Sequence, residues 1–241
     1  MSEHPLLSII IPAYNEARRL PETLPLVIKF VSNQEYDAEI IIVDNNSSDG
    51  TGAIAEEIGD GHPFVQVMFE PTQGKGAAVR TGMRAANGDF LFMADADLSM
   101  PIEEVSKFLP PALSNYDVAI ASREVEGAVR FHEPGYRHLM GRVFNLVVKL
   151  FAVPGFQDTQ AGFKCFKREA ALQILDMQTI DGWAFDVELL FIARKQGFKI
   201  VEVPINWYYR ANSRINPIGD AIDMFREVIG IRIKGWRGTY N

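Results

Sequence analysis

Short β-branched runs alternate with amphipathic stretches through the first hundred residues. Residues 7–11 form a β-branched run closed by Pro12, and residues 39–43 form a second. Runs this short and this apolar read as strands buried on both faces. Residues 64–69 and 90–93 extend the series. Between them, helices are predicted over 20–32, 51–58 and from the Gln73-Gly74-Lys75-Gly76 turn to residue 86. Strand and helix in alternation predict an α/β fold, a mostly parallel, Rossmann-like sheet with flanking helices.

The second half is less regular. Residues 116–121 read as a strand ending at Ser122-Arg123, and 124–135 as a mobile loop. Residues 137–151 have helical spacing, 157–166 are strand or loop, and 168–175 a short helix. A helix over 185–196, an edge strand over 199–204 and a last helix over 218–234 complete the pattern.

A chain of 241 residues suits one domain, 1–241, with a core of ordinary size. The net charge of -7 argues against a general nucleic-acid binder. Cys165 is the single cysteine and the four histidines are scattered, which excludes an internal disulfide and disfavours structural zinc. Cys165 is read as a small apolar core residue. The N-terminus lacks the pattern of a signal peptide, and no apolar run approaches the ~20 residues that span a bilayer.

Polar clusters follow all four early strands: Tyr14-Asn15-Glu16, Asp44 to Asp49, Gly74-Lys75-Gly76 and Asp95-Ala96-Asp97. In open parallel sheets ligands bind outside the carboxyl ends of the strands, so one site can be built from all four. Two aspartates spaced by one small residue after a buried strand suit a hard divalent cation, Mg²⁺ or Mn²⁺. Such an ion bridges protein to diphosphate and neutralises the leaving group. A capped turn is the bland alternative for the same residues.

The run from residue 7 through Pro12-Ala13-Tyr14-Asn15-Glu16 resembles the opening of the family 2 glycosyltransferases of GT-A fold. The Asp-rich loop at 43–51, the Gly74-Lys75-Gly76 turn and Asp95-Ala96-Asp97 follow in that family's order. Downstream, Ser122-Arg123, Asp158-Thr159-Gln160-Ala161-Gly162-Phe163-Lys164, Phe185-Asp186-Val187-Glu188-Leu189, Glu202-Val203-Pro204 and Arg210-Ala211-Asn212-Ser213-Arg214 are similar to polyprenyl- and dolichyl-phosphate sugar synthases. The 158–164 segment looks closest to the dolichyl-phosphate β-glucosyltransferases. One departure is Asn45, where many relatives carry a second Asp.

The resemblance implies an inverting transfer of glucose from UDP-glucose to a polyprenyl phosphate, with GDP-mannose as the alternative donor and a hydroxyl as the alternative acceptor. Residues 1–100 would bind the nucleotide sugar and 101–241 the acceptor. Pro12, Tyr14 and Glu16 would line base and ribose, and Asp44 would accept from a base N–H. Lys75 would lie near the base or diphosphate, Asp95 near the ribose, and Asp97 would be the principal metal ligand. A phosphate acceptor needs cations, and Arg123, Arg137, Arg210 and Arg214 are the candidates. It is mostly dianionic at pH 7 and attacks without a protein base. A hydroxyl acceptor needs one, for which Asp186 is the candidate.

A lipid acceptor requires membrane contact. From residue 192 to 241 there are nine Lys/Arg against four Asp/Glu, reversing the overall sign. Ile218, Ile222, Phe225, Ile229 and Ile233 fall on one helix face, with Trp236 beyond, and residues 137–151 give a second apolar face. Either packs on the sheet or lies in a membrane interface, which would make the protein cytoplasmic and peripheral on a membrane's cytoplasmic face. A competing dinucleotide fingerprint, Gly50-Thr51-Gly52-Ala53-Ile54-Ala55 with Glu70 twenty residues on, fails because a polar loop separates it from the strand.

Overall fold

The computed structural model describes residues 4–210 and 219–241, with the side chains at 219–223 and at several positions within 137–151 excluded. The first half follows the predicted alternation closely. It runs β1 (Leu7–Ala13), α1 (Leu20–Ser32), β2 (Ala38–Asp44), α2 (Thr51–Gly59), β3 (Val65–Phe69), α3 (Lys75–Ala85) and β4 (Phe90–Met93). A 3-10 helix (Ile102–Phe108), not foreseen in the sequence, leads to β5 (Val118–Ser122), β6 (Val129–Phe131) and α4 (Gly135–Phe151). The chain then forms β7 (Lys164–Lys167), α5 (Arg168–Met177), α6 (Phe185–Lys195), β8 (Ile200–Pro204), β9 (Asn206–Tyr208) and α7 (Gly219–Trp236).

The main sheet has the order β3-β2-β1-β4-β7-β5-β8. Every pairing in it is parallel except those of β7, which runs antiparallel to both β4 and β5. Residues 157–166 therefore do not simply trail the sheet; their end turns back through its middle. The period-2 alternation of strands sorts the core into two layers. Ile9, Ile11, Ile40, Ile42 and Phe92 face α1 and the 3-10 helix. Ile10, Ile41, Val43, Leu91 and Met93 face α3, α5 and α6. Phe92 stands edge-on to both Phe108 and Phe163, at 5.2 and 5.1 Å between ring centres. Cys165 is fully buried, as expected, and burial pushes its thiol up to about 12.

Two expectations need correction. The 124–135 segment is not a free loop: β6 within it pairs in parallel with β9, Val129 opposite Asn206. The stripe foreseen on α7 is not the face that packs. Ile218 lies outside the described residues, and the Ile222 side chain does too. Val228 and Ile231 carry the packing into the core, whereas Phe225, Ile233 and Trp236 are exposed, Trp236 at 76%. On α4, which contacts α7, Leu146 and Leu150 are likewise exposed at 55% and 71%.

Candidate active site

The ends of β1 and β2 lie side by side, Ala13 opposite Asp44, so their loops must share space. Asn15 takes a left-handed backbone conformation, φ 52°, which Asn tolerates better than most residues. Its side-chain oxygen accepts the Ser48 N–H at 2.8 Å, and its own N–H donates to Ser47 Oγ at 2.9 Å. The Glu16 N–H donates to Thr51 Oγ1 at 2.7 Å, and the Glu16 carboxylate accepts from Arg19 at 2.7 and 2.8 Å. Asp44 Oδ1 accepts the Ser47 N–H at 3.1 Å. Tyr14 stays exposed at the rim. The structure thus brings Pro12, Tyr14, Glu16 and Asp44 to one end of the sheet.

Asn45 explains its own departure. It is buried, its amide NH₂ donates to the Thr72 and Glu70 carbonyls at 2.6 and 3.3 Å, and its oxygen accepts the Gly74 N–H at 2.8 Å. A carboxylate could do only the last of these, since it has no hydrogen to donate. Asn45 is a clamp that sets the turn carrying Lys75.

That turn is shaped against residues far downstream. Gly74 has φ 145°, and a Cβ there would lie 2.1 Å from the Asp181 carbonyl oxygen. The same carbonyl accepts the Gly76 and Ala77 N–H groups at 2.8 and 3.3 Å. Two of the donors that a helix N-terminus could offer to a phosphate are therefore already used. Lys75 instead points its ammonium at Asp95, Nζ to Oδ1 2.5 Å. Burial opposes charge on both groups, yet Lys75 is held above its ordinary range by Asp95, Asp186 and Asp97. Asp95 is held below its own, against burial, by Lys75, Lys164 and Arg123. Asp95 is an ionised carboxylate in a partly enclosed site.

Asp97 is disposed differently. Its Oδ1 accepts the Ser99 N–H at 2.8 Å. The side chain lines a cleft of about 550 Å³ with Arg19, Leu26, Ile102, Tyr208 and Arg210 among its walls. Among the described residues no group of three His, Cys, Asp or Glu side chains stands ready as a metal cage. A hard cation held by one or two carboxylates, with substrate phosphates completing its shell, fits this donor set; a preformed zinc-type site does not.

The match that decides the family covers residues 8–175, which fit the family described as Glycosyl transferase family 2. The chain belongs to glycosyl transferase family 2. Curated relatives are named dolichyl-phosphate beta-glucosyltransferase. The one from Dictyostelium discoideum is 31% identical over 97% of this chain and 76% of its own length. The human one is 30% identical over 97% and 77%, and the Saccharomyces cerevisiae one 32% identical over 99% and 77%. Among solved structures, glucosyl-3-phosphoglycerate synthase from Mycobacterium tuberculosis, in complex with Mn²⁺, UDP-glucose and phosphoglyceric acid, superposes with a TM-score of 0.67. It is 21% identical and covers 95% of this chain and 79% of its own. That likeness establishes the GT-A fold expected from the sequence.

In this family 2 chain the other side of the site is built from charge pairs. Arg123 grips Asp158 with Nε to Oδ2 at 2.6 Å and Nη2 to Oδ1 at 3.0 Å, and its N–H adds a third bond at 3.0 Å. Burial works against the Asp158 charge, but Arg123 wins and holds the carboxyl down at about 2. The Arg123 guanidinium stacks 5.3 Å from the Trp207 ring, and Arg130 lies 5.8 Å from the same ring. Arg130 also pairs with Glu124 and Glu133. Arg137 lies on α4, its side chain outside the described set, and Arg214 lies outside the described residues altogether. Arg210 is exposed at the cleft. Asp186 is almost fully buried, 2.8 Å from Lys164. Glu188 is spent on structure, accepting from Thr179, Ile180 and Tyr240.

Sequence reasoning missed Arg19, Trp207 and Lys164. The Arg19 signal was present, three residues after Glu16 on one helical turn. Trp207 had none, because only the β6–β9 pairing places it there, and Lys164, though part of the 158–164 segment, gave no sign of the reversal at β7 that buries it.

Proposed function

We propose that this glycosyltransferase moves glucose from UDP-glucose to a dolichyl or other polyprenyl phosphate, with inversion at the anomeric carbon. The observation that carries the reading is one cleft lined by both Asp97 and Arg210, a carboxylate for the donor's cation beside a cation for an acceptor phosphate. The relatives' names supply glucose and dolichyl phosphate. UDP-glucose and Mn²⁺ accompany the M. tuberculosis neighbour.

The whole chain works as one domain. Pro12, Tyr14, Glu16 and Asp44 receive the nucleoside, with the Asp44 carboxylate accepting a ring N–H. Lys75 and Asp95 bound the diphosphate and ribose. Asp97, with Asp95 behind it, holds Mg²⁺ or Mn²⁺; when bound, the ion neutralises charge on the departing diphosphate. Arg123, Arg137, Arg210 and Arg214 gather the acceptor phosphate. An oxygen of that dianion forms the new bond to the anomeric carbon as the bond to the UDP oxygen breaks, and UDP carries the electron pair away. No proton has to be removed from the acceptor, so no protein base is required.

No helix of the described residues is long and apolar enough to cross a membrane. Leu146, Leu150, Phe225, Ile233 and Trp236 leave an apolar face on α4 and α7. The Lys/Arg excess of residues 192–241 supplies a basic flank. That combination suits peripheral contact with an anionic leaflet.

The test is a donor screen with polyprenyl phosphate and Mn²⁺, run in parallel with the corresponding polyprenol. UDP-glucose should be consumed with the phosphate and not with the alcohol. Consumption of GDP-mannose instead would replace the donor, and no consumption of any nucleotide sugar would sink the proposal. Flotation with anionic vesicles checks the membrane contact.

A further inference from the structure

Lys164 is the most unusual charge in the molecule. It stands at the start of β7, in the middle of the sheet, and is fully buried. Its Nζ donates to the Ala161 carbonyl at 2.7 Å and lies 2.8 Å from Asp186 Oδ1. Asp186, at the first turn of α6, is itself 5% exposed. Its Oδ1 has no well-aligned hydrogen bond among the described residues, so the contact with Lys164 is an ion pair rather than a directed bond. A lysine is almost never buried without a partner, and burying the pair costs more than an apolar pair would. The fold keeps it nonetheless.

Its surroundings suggest why. Between Asp158 and Lys164 the chain forms a strap that leads into β7 and runs beside the end of β4, Lys164 lying opposite Met93. Gly162 on this strap lies so close to Asp95 that a Cβ would fall 1.7 Å from Asp95 Oδ2. Ala161, next to Gly162, is the residue whose carbonyl Lys164 holds. Lys164 also acts electrostatically on Asp95 and Asp158, while Asp186 acts on Lys75. One buried lysine thus pairs with Asp186 and favours the charged form of two further carboxylates, Asp95 on the donor side and Asp158 under Arg123.

We propose that Lys164 and Asp186 form a positioning pair, which pins the 158–162 strap over Asp95 and places a fixed positive charge between the donor and acceptor sides of the site. Asp186 then holds Lys164 and takes no proton from the acceptor. The strap's contact with Asp95 is what gives the pair its reach: if Ala161 moves, Gly162 moves, and Asp95 loses the wall that keeps it against Lys75. The link to nucleotide binding rests on the donor reading above, whereas the link between the pair and the strap does not.

The experiment is a double-mutant cycle of K164M, D186N and K164M/D186N, read by thermal unfolding, UDP affinity and kcat against KM. Each single change strands one buried charge or removes the strap's anchor, and should lower Tm by about 10 °C. Each should also weaken UDP binding by about tenfold, through Asp95. The double variant removes both charges together, and it should regain most of the lost Tm and a measurable part of the kcat lost in D186N. A base would behave otherwise: D186N and the double variant would be equally inactive, with UDP affinity and KM unchanged, and that result overturns the proposal. So would a K164M variant with the UDP affinity of the unaltered protein. K164R, which keeps the charge but not the fit, should fall between K164M and the unaltered protein in UDP affinity; an affinity as low as that of K164M would remove the electrostatic half of the proposal. UDP binding by the unaltered protein tests the donor reading by itself, so the two failures can be told apart.

Discussion

The two halves of the molecule assemble their polar residues by different rules. In the first hundred residues each polar cluster sits at the end of its own parallel strand, and neighbouring strands place neighbouring clusters together. Around the first two clusters the bonds are short side chains to backbone N–H groups, such as Ser47 and Thr51 to Asn15 and Glu16, and the Lys75–Asp95 ion pair joins the other two. In the second half charged side chains reach across distant segments: Arg123 pairs with Asp158, Lys164 with Asp186, and Glu202 accepts the Gln157 and Asp158 N–H groups. The difference follows from β7. A parallel series delivers its strand ends to one side automatically, whereas an antiparallel strand brings its start to that side, and whatever precedes it must be tied down.

The comparison predicts unequal consequences of substitution, largest where a single group meets the cation. Asp97→Ala should lower kcat/KM by about 10³-fold or more, since charge on the departing diphosphate would go unneutralised. Its Tm should change little, because the side chain lines the cleft and makes one bond to the Ser99 N–H. Retained metal-dependent turnover would remove Asp97 from the site.

Gly162→Ala strikes where the halves touch. The new methyl would overlap Asp95 Oδ2, so either the strap or Asp95 must shift. Overpacking of this kind costs about 1–3 kcal/mol, a Tm loss of about 3–10 °C in a chain this long. UDP affinity, measured by calorimetry, should fall with it. A Gly162→Ala protein that binds UDP normally would mean the halves are not coupled through this contact.

Acid should affect the second half through Asp158. Its carboxyl is held at about 2, below an ordinary value of 3.8. A depressed value contributes stability that is fully present above the unfolded value and fades as pH falls from about 4 toward 2. The contribution is about 2 kcal/mol. Unfolding followed from pH 6 to pH 2 should therefore show a stability loss in that window which Asp158→Asn lacks. An identical acid limb in both proteins would show that the pair contributes nothing there.

How much of this was legible follows the same division. The four early strands, the helices between them and the clusters at their ends could be read because period and turn chemistry are local signals. Asp95 and Asp97 were found together, but that one would face Lys75 and the other the cleft was not, because Lys75 is twenty residues away on another strand-to-helix turn. The pairing of β6 with β9 was invisible for a different reason: both strands are three residues long, too short for an alternating pattern to stand out. The sequence left open whether the α7 stripe packs or lies in a membrane interface, because periodicity does not say which apolar face is covered; packing selects Val228 and Ile231 over Phe225 and Ile233. Lys164 was visible only as the last residue of the 158–164 segment; its burial, which the sequence does not show, gave it meaning.

The smallest expected effect belongs to the first half and tests whether its local stitching matters as much as its carboxylates. Asn45→Asp would restore the residue that many relatives carry by resemblance. It keeps an acceptor for the Gly74 N–H but loses the donor to the Thr72 and Glu70 carbonyls, and it sets a negative charge against those two oxygens. Leaving buried acceptors unpaired costs about 1–3 kcal/mol, partly recovered here because the segment lies near the surface and water can reach it. A Tm lower by about 3 °C is the expected outcome, with a modest rise in the KM for the nucleotide sugar as the Lys75 turn loosens. If Asn45→Asp instead lowered the metal requirement at unchanged Tm, the position would be a ligand site rather than a clamp. The first half would then owe its order to carboxylates after all.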